Sequence, residues 1–162
     1  MENTEISQVW NEAGCGLMSH ILLAEDNLAD VYLIRTALEE HGIRIQVQLA
    51  ADGSEVLRIL AAQQPPAQTS LSLIILDLNL PRHDGIEILQ RIHQTDWLRH
   101  IPVVVLTSSD SPRDRSVTSE LGAARFLRKP SNLEEFLRLG AVFKELLEQD
   151  KAESGNQMGT AV

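Results

Sequence analysis

Leu71-Ser72-Leu73-Ile74-Ile75-Leu76-Asp77-Leu78-Asn79-Leu80-Pro81 is the stretch that decides the fold. A short apolar run ends at a carboxylate and is closed by proline, so it reads as a buried strand that delivers Asp77 to the edge of a sheet. An acid placed there is a candidate for reactive chemistry.

Four other features stand around it in the order one open α/β sheet requires. Glu25-Asp26 follow Ile21-Leu22-Leu23-Ala24, and Thr107 follows Val103-Val104-Val105-Leu106. Lys129-Pro130 follow Arg125-Phe126-Leu127, and Gly85 lies behind Asp77. Each polar residue sits just past the carboxyl end of an apolar strand, the place where doubly wound sheets bind ligands. Three acids, a hydroxyl and a lysine are therefore expected to converge.

Between the ends of the chain the pattern alternates strand and helix five times, which predicts a parallel sheet covered on both faces. Leu28, Val31, Ile34, Ala37 and Leu38 mark the buried face of a first helix ending near His41-Gly42. Ile45 to Leu49 is a less apolar strand, with Gln46 and Gln48 alternating, and suits a sheet edge. A second helix spans Gly53 to Gln63 and is stopped by Pro65-Pro66, and a loop runs on to Ser70. The third helix, Gly85 to Gln94, buries Ile86, Ile88, Leu89 and Ile92. Ser111-Pro112 form a favourable cap and first-turn pair for a fourth helix reaching Leu121. Its apolar content is thin, chiefly Val117 and Leu121, which places it among the less stable elements. The last helix follows an Asn132 cap and carries a stripe of Leu133, Phe136, Leu137, Gly140, Phe143 and Leu147.

The whole chain of 162 residues fits one domain. Residues 1–19 read as an N-terminal extension, 20–148 as the folded domain, and 149–162 as a polar, disordered tail. Within the extension two readings stand: Met18 as the natural initiator, or a short helix around Ile6, Val9 and Trp10. The formal net charge of −9 argues against non-specific nucleic-acid binding, which needs clustered Lys and Arg. No apolar stretch reaches the roughly 20 residues of a membrane-spanning helix, and no signal-peptide pattern opens the chain; a cytoplasmic location is expected. Cys15 is alone and has no metal-site neighbours.

As an ordered set, Glu25-Asp26, Asp77, Thr107 and Lys129-Pro130 resemble the receiver domain of two-component response regulators, from about His20 to Glu148. Leu23 to Asp30, Leu76 to Pro81 and Ile101 to Thr107 are most similar to small, stand-alone regulators encoded beside bacterial phytochromes. The resemblance implies a flavodoxin-like (βα)5 fold with strand order 2-1-3-4-5. It implies that Asp77 accepts a phosphoryl group from a sensor histidine kinase, a bacteriophytochrome if the finer likeness holds. It assigns Mg²⁺ as cofactor, held directly by Asp26 and Asp77, through water by Glu25, and by the Asn79 main-chain carbonyl. Such a site suits a hard cation that prefers oxygen ligands. Lys129 is expected to neutralise phosphoryl charge, and the resemblance implies that Thr107 and Phe126 form the switch. Phe126 stands where Tyr is frequent, and Glu25 where Asp is commoner. A cis Lys129-Pro130 bond is implied as well. The output surface is expected on the face from Pro112 to Leu147, through a downstream protein or a homodimer.

Taken singly, every one of these residues has a plainer reading. Asp26 can cap the first helix, Asp77 can be a turn residue, and Thr107 a strand-end hydroxyl. Lys129 can face solvent and Phe126 can be core. Their joint occurrence in this order outweighs those readings. The five histidines show no metal-site spacing; His83, in the loop after Asp77, is the one near enough to influence the site. Arg113 and Arg115 either face a partner or keep a weak helix soluble. Two other functions compete. A phosphatase with an Asp nucleophile would need an Asp-x-Asp pattern, but Asp77-Leu78-Asn79 lacks the second acid. An interaction module independent of phosphorylation has no need of the intact acid set. No Gly-rich nucleotide loop is present.

Overall fold

Five strands alternate with five helices: β1 (His20–Ala24), α1 (Leu28–Glu40), β2 (Gln46–Ala50), α2 (Gly53–Ala61), β3 (Leu71–Leu76), α3 (Gly85–Gln94), β4 (Val103–Thr107), α4 (Pro112–Glu120), β5 (Arg125–Arg128) and α5 (Leu133–Asn156). The computed structural model describes residues 19–63 and 70–156. The strands form one parallel sheet in the order β2-β1-β3-β4-β5, the flavodoxin-like arrangement expected.

Burial explains the strand sequences. β3 and β4 are central and apolar on both faces, and all five residues of β4 are buried. At one edge β2 alternates exposed glutamines with half-buried Val47 and Leu49, as a half-solvated strand should. At the other edge, β5 keeps its two arginines outside. Successive side chains point to opposite faces, so each strand feeds two cores. Leu22, Ile74 and Val105 pack under α2 and α3, while Ile21, Ile75 and Val104 pack under α1 and α5. Gly140 permits the close approach of α5 to α1, since a Cβ there would run into His41 Nδ1 and the Ala37 carbonyl.

Several expectations change at element ends. Leu28 and Leu133 were assigned to buried faces but are 76% and 59% exposed. Both are the first residues of their helices, where the side chain leans toward the N-terminus and overhangs the sheet. Leu137 is half-buried, and Leu146 joins the buried stripe instead. α2 ends at Ala61, before the prolines. α5 continues through residues expected to belong to the tail, as far as Asn156. Propagating an existing helix through good formers such as Glu148, Gln149, Lys151 and Ala152 adds a backbone bond per residue fixed. The proposed initiator, the alternative helix around Ile6, most of the 63–70 loop and the segment after Asn156 lie outside the described residues.

α4 is as thinly packed as its sequence implies. Its one fully buried residue is Thr118, whose hydroxyl donates back to the Asp114 carbonyl at 2.8 Å. Val117 and Leu121 are only half-buried.

Candidate functional site

The sheet ends set the site. Just past the β1 ladder, the Glu25 N–H donates to the Ala50 carbonyl (3.0 Å), and just past β3 the Asp77 N–H donates to the Ala24 carbonyl (3.0 Å). The Lys129 N–H bonds the Thr107 carbonyl (2.8 Å). These bonds hold Glu25, Asp77, Thr107 and Lys129 at one edge of the sheet. Behind Asp77, Gly85 donates its N–H to the Leu78 carbonyl (2.9 Å). A Cβ at that position would lie 2.6 Å from the Asp77 carbonyl oxygen, so the loop closes only around glycine.

The Lys129 ammonium is the hub. Its Nζ lies 2.7 Å from Glu25 Oε2, 2.8 Å from Asp30 Oδ2 and 2.9 Å from Asp77 Oδ2. Glu25 and Asp77 are buried, at 2% and 5% exposure, so water screens these contacts little. Burial pushes the Glu25 carboxyl above its ordinary range. The Lys129 ammonium and the Asn27 N–H pull it back and the Asp77 charge pushes it further up, and the net rise remains because burial is the largest of these effects. For Lys129, burial disfavours the charged form, but the bonds to Asp30, Glu25 and Asp77 outweigh it and hold the ammonium firmly protonated.

One cation does not balance the acids here. Oxygen atoms of Glu25, Asp26 and Asp77 lie within 4.8 Å of one another, with Asp26 on the exposed side. This donor set is all hard oxygen and open to water on one side, which fits Mg²⁺ or Mn²⁺.

The remaining expected residues gather at the same edge. Asn79 donates its N–H to Asp77 Oδ1 (3.0 Å) and aims its side-chain amide at Thr107 Oγ1 over a long 3.5 Å. Thr107 is fully buried, and its hydroxyl oxygen accepts the Ser109 N–H at 3.1 Å. Phe126 is half-buried against the α2–α3 core and pairs in register with Val105, on the sheet face that Thr107 also uses two residues later. His83 turns away to Glu87, with Nδ1 and Oε1 3.0 Å apart. The expected cis bond is not found: every described peptide bond is trans. Lys129 reaches all three carboxylates with its proline bond trans, so no cis isomer is required to aim it.

Two residues acquire contacts that the sequence reading lacked. Asp30, in the first turn of α1, completes the lysine hub. The only sequence signal was an acid three residues after the Asn27 cap, where it also reads as a complement to the helix dipole. Arg115 lies over the Phe126 ring rather than facing only solvent.

The family model for the response regulator receiver domain matches residues 21–139. Response regulator Rcp1 of Synechocystis is 37% identical over 120 residues, covering 74% of this chain and 82% of Rcp1. Its Mn²⁺-bound crystal structure superposes with a TM-score of 0.64 at 33% identity, over 89% of this chain and 97% of that one. The phosphorylated cyanobacterial phytochrome response regulator RcpA gives a TM-score of 0.71 at 32% identity, over 90% and 97% of the two chains. The bacteriophytochrome response regulator AtBRR gives 0.61 at 38% identity, over 82% and 91%. Among the described residues no helix is long and apolar enough to cross a membrane.

Proposed function

We propose that this chain, which belongs to the response regulator receiver domain family, takes a phosphoryl group onto Asp77 from a sensor histidine kinase and thereby switches a protein-binding surface. One observation carries the reading: the buried Asp77 carboxylate is shared between the Lys129 ammonium, at 2.9 Å, and an oxygen cluster suited to a divalent cation. An Asp77 oxygen attacks phosphorus as the bond to the donor's leaving atom breaks, and the leaving group keeps that electron pair. Such transfer depends on positioning and on charge neutralisation. Lys129 supplies one positive charge at the reacting oxygens. Mg²⁺, held by Asp26, Asp77, Glu25 through water and the Asn79 carbonyl, would supply the rest of the neutralisation. Thr107 and Phe126 relay the change toward α4, β5 and α5.

The reading makes the protein a phosphoacceptor rather than an enzyme acting on other substrates, and places it in the cytoplasm with a kinase. The similarity to RcpA and AtBRR supports a bacteriophytochrome as that kinase; the output would pass to a downstream protein or through a homodimer. Incubation with acetyl phosphate and Mg²⁺, read by intact mass, tests it. The protein should gain one phosphoryl group and Asp77→Asn none; undiminished labelling of Asp77→Asn would sink the assignment.

A further inference from the structure

We propose that Asp30 is a positioning residue for Lys129: with Glu25 it forms a two-carboxylate cradle that aims the third ammonium N–H at Asp77, where the phosphoryl group arrives. The inference rests on the reading of Asp77 as the phosphoacceptor.

A lysine ammonium has three N–H donors, and here each has its own carboxylate, supplied by the end of β1, the first turn of α1 and the end of β3. The Lys129 side chain is only 10% exposed, so these acceptors rather than water set its direction. The three partners are not equivalent once transfer occurs. Formation of the P–O bond at Asp77 moves negative charge from its carboxylate to the phosphoryl oxygens, so the N–H facing Asp77 must find its new acceptor among them. Glu25 belongs to the oxygen cluster that a cation would draw on, whereas Asp30 does not. Asp30 is thus the partner with no competing claim. With Glu25 alone, the ammonium would keep a single fixed acceptor, which sets a distance but not a direction.

One short segment builds the cradle. The Asn27 N–H donates to Glu25 Oε1 (3.0 Å), and Asn27 Oδ1 accepts the N–H groups of Ala29 (2.9 Å) and Asp30 (3.3 Å). The helix cap therefore ties both cradle residues to the same backbone.

The test uses Asp30→Asn, which keeps the shape of the side chain, together with Asp30→Ala. In metal-free protein, nitrogen-15 NMR of the Lys129 ammonium should show proton exchange with water accelerating about tenfold or more in both variants, as desolvated hydrogen bonds are lost. With acetyl phosphate and saturating Mg²⁺, the rate of labelling should fall roughly 10- to 100-fold, the usual effect of misplacing a group near a reacting centre. In a Lys129→Met background, Asp30→Ala should produce no further fall, because Asp30 acts through that lysine. Equal labelling of wild type and both Asp30 variants would overturn the proposal, as would an undiminished Asp30→Ala effect in the Lys129→Met background or unchanged ammonium exchange. A wild-type protein that takes no label would instead reject the reading of Asp77, and the ammonium exchange would still report whether Asp30 holds Lys129.

Discussion

The guanidinium carbon of Arg115 lies 4.7 Å from the centroid of the Phe126 ring, which ties α4 to β5 by a cation–π contact. α4 has little else to hold it: its fully buried residue is a threonine bonded to its own helix. With Arg115 itself exposed, such a contact contributes about 0.5–1 kcal/mol. Arg115→Ala should therefore lower global stability by no more than that, yet speed amide exchange selectively in α4 relative to α3. Exchange that rises equally in both helices would contradict a local tether.

Gly85 packs against the backbone that carries the proposed phosphoacceptor, Asp77. A Cβ would meet both the Asp77 carbonyl oxygen and Leu78 Cα at 2.6 Å, and neither can turn aside as a flexible side-chain end would. Gly85→Ala should destabilise the fold by about 1–3 kcal/mol, the range for overpacking. It should also slow labelling of Asp77, because relief requires the Asp77–Leu78 backbone to move. Chemical denaturation and labelling rates measured together check this, and a variant of wild-type stability would refute it.

Removing Asp26 should separate metal affinity from folding. The residue is exposed and contributes an oxygen to the cluster. Mg²⁺ binding at a solvated site with few carboxylates is expected in the millimolar to sub-millimolar range, about 4–5 kcal/mol. Asp26→Asn should weaken it about tenfold or more, equivalent to roughly 1.4 kcal/mol, with little change in melting temperature. Titration calorimetry measures the first quantity and a thermal melt the second.

The pH dependence of the metal-free protein should reflect Glu25. Its carboxyl is pushed above 4.5 by burial, so between that value and its raised folded pKa the native state binds more protons than the unfolded chain. Stability then falls as pH rises through this window and grows on mild acidification. Lys129 is raised as well and carries the same sign in a different range: its contribution is fully present below 10.5 and is lost only in strong alkali. Across the acid window the two do not interfere. Glu25→Gln should flatten the slope between neutral and mildly acid pH, as read from melts without metal; an unchanged slope would assign the effect elsewhere.

What the sequence disclosed follows from what each residue must do locally. The central strands were legible because a run such as Ile74-Ile75-Leu76 has no solvated face, and the edge strand β2 because Gln46 and Gln48 do. The candidate site was legible because Glu25, Asp77 and Lys129 each directly follow a strand and Thr107 ends one. Asp30 escaped because it belongs to a helix, and its partner is 99 residues away, a distance no local pattern encodes. Arg115 escaped for the same reason, since its ring partner lies on the next element. Leu28 and Leu133 were misjudged because periodicity describes a helix face without saying where the packed layer beneath it stops.

The last prediction concerns transmission from the pocket. Thr107 and Phe126 use the same sheet face, and Phe126 is itself covered by Arg115 of the weakly packed α4. A phosphoryl group that drew the Thr107 hydroxyl away from the Ser109 N–H, now 3.1 Å from it, would disturb the turn leading into α4. Two arrangements of α4 then need differ by only a few kcal/mol for the phosphoryl group to shift their populations. With beryllofluoride and Mg²⁺ as phosphoryl mimic, hydrogen exchange should change in the turn after Thr107, in α4, in β5 and in the part of α5 facing them. α1, α2 and the far edge strand β2 should stay largely as they were. Changes confined to α1 and α2 would rule out this route, and loss of the α4 response in Thr107→Ala would identify the hydroxyl as its first step.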